Sequence, residues 1–398
     1  MNILVTGANG LLGSSVMTEL RRRGHHGIAV GRAPQCRSTD AAAYVQADLC
    51  DASAVQALFV GVQPDAVIHC AAWTDVDGAE LPENREQVFA VNRDSTQNVA
   101  EASRDHGCKL LYVTTDYVFD GTYPAPYPAD YDRFAPLNVY GQSKLDGERA
   151  VCGTLAQHFV VRTSWLYGAG GKNFVRTMLQ LSRTHDTLRV VCDQVGTPTY
   201  VPDLARLLAD MVETDRYGRY NAVNSGGYVS WYDFACEIFR TAGIPITVLP
   251  VTTEEYGRSL AVRPRNSRLD TAKLAAAPVS GRCLTGRTRS RATLPQNNHK
   301  QPGHPAPMCA DAPVFCYSAL GLDERHERPD ARILRAARID QQRARLRLEA
   351  LHRAKHHTVD PPAGDARRHD AEGDAGVDDA LHLKAVDHHL GGDGSVDL

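Results

Sequence analysis

Residues 2–6, NILVT, form a short apolar run that passes without a break into Gly7-Ala-Asn-Gly10-Leu-Leu-Gly13, where a helical pattern begins. Three glycines spaced G-x-x-G-x-x-G between a first strand and a first helix restrict the chain to a strand–helix–strand unit with an anion site at its turn. Gly7 permits the tight turn. Gly10 lets phosphates approach the backbone, and Gly13 lets the helix pack closely on the sheet. The unpaired N–H groups of the helix start, and its dipole, favour an anion there.

The alternation continues through residue 277. GIAVG (27–31), DAVIHCA (65–71), KLLYVTT (109–115) and HFVVRTSWLY (158–167) read as strands, with helical patterns at about 12–23 and 84–106. Continuous apolar strands separated by helices indicate a parallel sheet buried on both faces. The expected fold class is α/β. A Rossmann-type doubly wound parallel sheet would be built mainly from residues 1–168, and a smaller C-terminal substrate-binding lobe mainly from 169–277. Lys and Arg number 44 against 47 Asp and Glu, so the net charge is −3 and offers no basic field for nucleic acid or an anionic membrane. No uncharged apolar run reaches the ~18 residues of a membrane span. Ten scattered cysteines without a C-x-x-C pair suit reduced thiols in the cytoplasm, not disulfides or a zinc site.

The second strand ends in Gly31-Arg32. Sites for NAD place a carboxylate there for the ribose 2′-OH, whereas an Arg accommodates the 2′-phosphate of NADP. The expected cofactor is NADPH, with NADH the alternative. Ala71 and Ala72 close another strand, where small side chains let a cofactor lie near the backbone. Tyr140 and Lys144 form Y-x-x-x-K, a spacing that puts both on one helix face. A phenol is a poor acid at neutral pH, and a neighbouring ammonium should lower its pKa. The pair can then protonate a carbonyl oxygen as hydride arrives at the carbon. Thr115, at the carboxyl end of its strand, presents a hydroxyl to the ligand crevice. Asp116 beside it can adjust the local acidity.

The glycine spacing and the Tyr140–Lys144 pair resemble the extended short-chain dehydrogenase/reductases. TGANGLLG, AAWTDVDGAE, VTTDYVFDG, PLNVYGQSK, RTSWLYG, DQVGTPT and RPRNSRLD follow in order over residues 1–274, and this ordered set is similar to the dTDP-4-dehydrorhamnose reductase family. The resemblance implies reduction of the 4-keto group of dTDP-4-dehydro-6-deoxy-L-mannose by NAD(P)H, in dTDP-rhamnose synthesis for cell-surface polysaccharide. It implies that Tyr140 donates the proton, that Lys144 is its partner and a ribose ligand, and that Thr115 is the third catalytic group, with Asp116 adjacent. It extends the cofactor site to Leu11, Leu12 and Leu49, with Asp48 facing the adenine, and it sets Trp165 against the sugar. The partner is then a small nucleotide-sugar, with no nucleic acid or membrane, and a homodimer is an open alternative for assembly. A non-catalytic NADP-binding regulatory subunit of the same fold, and a sugar-nucleotide epimerase or dehydratase, are the competing readings. The intact Thr115, Tyr140 and Lys144 argue against the first, and Arg32 with the ordered motifs against the second.

Beyond residue 277 the pattern breaks. The last hundred residues contain only Phe315 and Tyr317 as aromatics but ten of the sixteen His, too little apolar surface to build a core. The family resemblance implies that a Gly-Phe, a Leu-Pro and a Trp-bearing helix follow SRLDTAKL; this chain has AAAPVSGRCLTGRTRSRATLP instead. A DNA that encodes that segment can, in a neighbouring frame, encode GFRPLPDWQDALARYLA. The expectation is a one-base frameshift between about Ala275 and Pro278, with residues 278–398 an out-of-frame, disordered tail. The His pairs at 356–357 and 388–389 then carry no metal site.

Overall fold

The computed structural model describes residues 1–277. The expectations for 278–398 lie outside the described residues.

Six strands follow from the N-terminus, with helices between all but the second and third: β1 (Asn2–Thr6), β2 (His26–Gly31), β3 (Ala43–Gln46), β4 (Ala66–His69), β5 (Lys109–Thr115) and β6 (His158–Thr163). They pair in parallel in the order β3-β2-β1-β4-β5-β6, and a seventh strand, Gly218–Asn221, adds beyond β6. The order reverses at β1, which pairs with both β2 and β4. In such sheets ligands bind outside the carboxyl ends of the strands at this switch point.

Both faces are covered, as the apolar runs require. Ile3 and Val5 of β1 face α1 (Leu11–Arg22) and the Val201–Val212 helix. Leu4, between them, joins the opposite core with α2 (Ala52–Val62) and α4 (Ser95–Asp105). That alternation is the period-two geometry of a strand. α5 (Val139–Thr154) packs on the same side and contributes Val151.

A separate apolar core holds the lobe. Met178, Leu188, Phe234 and Ile238, from the Phe174–Leu181 and Trp231–Ala242 helices and the strand Thr187–Val191, come together with Tyr167 of the short strand Leu166–Tyr167 and with Val248 of the paired strand Thr247–Val251. The lobe is not one continuous stretch, because the Val201–Val212 helix and the Gly218–Asn221 strand return to the main sheet.

Three local departures from the sequence reading have physical causes. β3 and the Gly218–Asn221 strand lie at the sheet edges; β3 has no buried residue, so neither carries the continuous apolar run that marks a central strand. The 84–106 helix is α3 (Arg85–Phe89) joined to α4 through a π turn at Ala90–Asp94. The 158–167 run breaks after Thr163 and resumes at Leu166, with Trp165 between them at φ +51°. Among the described residues no helix is long and apolar enough to cross a membrane.

Candidate active site

The glycine loop links β1 to α1. Gly7 adopts φ +62°, and a Cβ there would lie 2.8 Å from the Ala71 backbone. Gly10 caps α1 without any side-chain hydrogen bond, so no side chain covers the first N–H groups of the helix. A Cβ on Gly13 would overlap the Gly7 carbonyl oxygen and crowd the Ala8 backbone. Neither neighbour is a side chain that could swing away. Gly13→Ala is expected to destabilise the protein by ~1–3 kcal/mol, the range for overpacking, and to disturb the loop. Denaturant unfolding checks this; a variant as stable as the parent would remove the close packing assigned to Gly13.

Beside the loop lies a cleft with about 320 Å³ of empty space, part of it open to solvent. Gly7, Arg32, Asp48, Leu49 and Ala71 of the expected cofactor set line it, and Cys50 and Ser95 join them. Asp48 holds the turn before α2 by accepting from Cys50 N at 3.0 Å. Nearby Asp51 is the N-cap of α2, accepting from Ser53 N and Ala54 N, and is structural. Leu12 is buried in the core beneath the loop, whereas Leu11 is half-buried against Gly171. Ala72 is buried where the chain leaves β4. The open helix start, the small residues and the Arg32 guanidinium at the end of β2 fit a dinucleotide with a 2′-phosphate.

The second cluster forms where β5 meets α5. Asn138 caps α5 by accepting from Gly141 N at 2.7 Å, and its amide donates to Val262 O at 2.8 Å. Glu80 accepts from Val139 N at 2.7 Å. These bonds fix the helix turn that carries Tyr140. The Thr115 hydroxyl donates to Asp116 Oδ1 at 3.1 Å and accepts from Tyr117 N at 3.2 Å. Burial pushes the Asp116 carboxyl up to about 6, against the pull of the Ser267 and Thr115 hydroxyls.

Burial also pushes the Tyr140 phenol well above its ordinary value; the Thr115 hydroxyl opposes this and the Asp116 charge adds to it. The sequence reading expected the Lys144 ammonium to lower that pKa. The geometry sends Lys144 elsewhere: Nζ donates to Val113 O at 2.9 Å and sits 4.2 Å from the centre of the Tyr112 ring. Desolvation brings the ammonium itself down to about 7, with Glu148 and Cys70 resisting. Tyr140 and Lys144 thus share a helix, and the phenol keeps its proton throughout the neutral range.

Trp165 is half-buried and stacks on Trp231, ring centroids 3.6 Å apart and 14° from parallel. Gly196 makes room for it, since a Cβ there would come within 2.8 Å of the indole. A non-glycine residue at positive φ costs of order 1–3 kcal/mol, a strain that packing must hold. The sequence reading also missed Asn92, His69, Arg162 and Glu148, all buried. Two of them left a signal, His69 as a polar residue within the apolar run DAVIHCA and Arg162 as a charge within HFVVRTSWLY.

A doubly wound parallel sheet, a glycine loop at its switch point and a Tyr–Lys pair beside the neighbouring strand end define a dinucleotide-dependent oxidoreductase of the short-chain dehydrogenase/reductase type. The chain belongs to the RmlD substrate binding domain family, whose model matches residues 1–282. It is 41% identical over 281 residues to a dTDP-4-dehydrorhamnose reductase of Streptomyces griseus, spanning 69% of this chain and 87% of that protein. The enzyme of the same name from Escherichia coli K12 is 36% identical over 284 residues, 69% of this chain and 90% of that protein. Among solved structures, the dTDP-4-dehydrorhamnose reductase of Bacillus anthracis in complex with NADP is 38% identical with a TM-score of 0.62, covering 69% of this chain and 91% of that one.

Proposed function

We infer that this chain is an NADPH-dependent reductase of dTDP-4-dehydro-6-deoxy-L-mannose, forming dTDP-L-rhamnose for cell-surface polysaccharide. The observation that carries this reading is the gathering of Thr115, Asp116 and Tyr140 at the carboxyl end of β5, on the same edge of the sheet as the glycine loop.

NADPH, when bound, supplies hydride to the 4-keto carbon. Gly7, Gly10 and the start of α1, with Leu11 and Leu12, would hold the pyrophosphate. Arg32 would meet the 2′-phosphate, Asp48 and Leu49 would border the adenine, and Ala71 and Ala72 would leave room for the nicotinamide half. Thr115 orients the keto oxygen, and Tyr140 delivers its proton to that oxygen. Lys144, whose Nζ donates to Val113 O, would be the ribose ligand and the partner of Tyr140. Trp165, backed by Trp231, packs on the sugar.

The test is whether purified protein oxidises NADPH only when the keto-sugar is added, with dTDP-L-rhamnose as product. Oxidation independent of the sugar, or none with it, overturns the reading. Arg32→Ala is expected to weaken NADPH binding by roughly 1–3 kcal/mol, as for a lost hydrogen bond to a charged group, and to leave NADH nearly unchanged. Equal losses in fluorescence titrations of both cofactors would contradict the role of Arg32.

The same reading takes residues 1–277 as the reductase unit, cytoplasmic and assembled as a homodimer. Limited proteolysis is expected to leave a core ending near residue 275, and light scattering reports its mass. A resistant fragment spanning residues 300–398 would contradict that boundary.

A further inference from the structure

A buried polar side chain in an apolar strand needs partners. His69, the last residue of β4, is fully buried, and its ring lies between two hydroxyls. Nδ1 is 2.7 Å from Thr6 Oγ1, and Nε2 is 3.1 Å from Thr96 Oγ1. The surroundings set the direction of each bond. Thr96 donates its one hydroxyl proton to Asn92 O at 2.8 Å, so it must accept from His69 Nε2–H. Thr6 Oγ1 already accepts from Ala71 N at 3.2 Å and has a proton to give to Nδ1. This pattern needs a neutral ring. Burial and the nearby Lys144 charge keep it neutral by pushing its pKa down to about 3.

The chain of bonds continues to the catalytic helix. Asn92, in the π turn, accepts from Trp73 N at 2.8 Å and donates to Ser143 Oγ at 2.9 Å. Ser143 Oγ donates to Tyr140 O at 2.8 Å. Gly147 lets α5 close onto the turn, since a Cβ there would meet Asn92 O at 2.6 Å. One end of the path is Thr6, the residue before Gly7; the other is the first turn of α5.

We propose that His69 is a positioning residue: a neutral, Nε2-protonated imidazole that ties the strand of the glycine loop to the helix of Tyr140 and Lys144, so that hydride source and proton donor keep one register. The activity readout rests on the reductase reading above. The bond directions leave His69 no part in moving the proton, because Thr6 and Thr96 occupy both ring nitrogens in the resting state.

The experiment compares His69→Leu and Thr96→Val, which break the path, with His69→Gln and Thr96→Ser, which keep a donor and an acceptor. Turnover is expressed per NADPH-binding site, so that misfolded protein does not count. The broken variants are expected to lose roughly 10–100-fold in kcat, as small misplacements of reacting groups do, with KM for the keto-sugar nearly unchanged. The midpoint of the pH profile should stay where it is, and Thr96→Ser should recover most of the rate. Full kcat per site in both His69→Leu and Thr96→Val overturns the proposal. So does a moved pH midpoint in His69→Gln, which would make His69 a titrating relay. If His69→Leu does not fold, the Thr96 pair still decides. Hydrogen exchange separates the proposal from the reductase reading. Amides 141–145 should exchange faster in Thr96→Val than in Thr96→Ser even if the parent protein reduces no keto-sugar. Equal protection in the two overturns the link to α5.

Discussion

Tyr140→Phe is expected to lower kcat by ~10²–10⁴-fold, the usual contribution of a positioned general acid, while NADPH binding is kept. The substitution removes one oxygen and leaves the ring, which packs edge-on against Tyr117 at 5.8 Å, so the fold should not change. Burial raises the phenol's pKa, so the group keeps its proton until hydride transfer makes the keto oxygen basic enough to take it. Steady-state turnover with a parallel cofactor titration makes the check. A variant with near-full turnover would move proton delivery to another group. Asp116 is then the first to examine, because burial has already brought its carboxyl up to about 6.

The second large effect is on stability. Glu148 of α5 and Arg162 of β6 form an ion pair at 2.7 Å with both side chains almost wholly buried. Arg162 also donates to Ala129 O at 3.1 Å and lies 5.1 Å from the centres of the Phe119 and Phe134 rings. Glu148→Leu leaves that guanidinium in the core without its counter-charge. The expected loss is ~3–5 kcal/mol, a large share of the ~5–15 kcal/mol of a typical domain. The double variant Glu148→Leu with Arg162→Met should recover most of it, because no unpaired guanidinium remains in the core. Urea unfolding of the single and double variants measures both. A single-variant loss below ~1 kcal/mol would mean that water reaches the pair, as it does for surface ion pairs. The pair lies one helical turn from Lys144, so the same variant should also disturb turnover.

The parts of the fold and site that were legible in the sequence are those with a local signature. β1, β5 and most of β6 were readable because a central parallel strand must be apolar along its whole length. The edge strand β3 was not, because only Tyr44 and Val45 pack on the two cores, each in part, and its ends are exposed. The glycine loop was readable from Gly7, Gly10 and Gly13, since a tight turn and close helix packing both require glycine at fixed spacing. Tyr140 and Lys144 were readable as neighbours because a helix brings residues four apart onto one face. Their electrostatics were not. That spacing said nothing of the Val113 carbonyl that takes the ammonium, or of the burial that raises the phenol.

The sequence by itself therefore determined the doubly wound sheet, the glycine loop at its switch point and the placing of Tyr140 and Lys144 on one helix, because strand hydrophobicity, glycine spacing and helical period act within a few residues. Only the tertiary structure decided which way each pKa moves, that Trp165 leans on Trp231 at a strained backbone angle, that Arg162 is paired inside the core, and that His69 joins β1 to α5. Each of these depends on desolvation or on contacts between residues far apart in the chain, such as Thr6 with His69 or Trp165 with Trp231. A linear pattern carries no record of either until the chain has closed on itself.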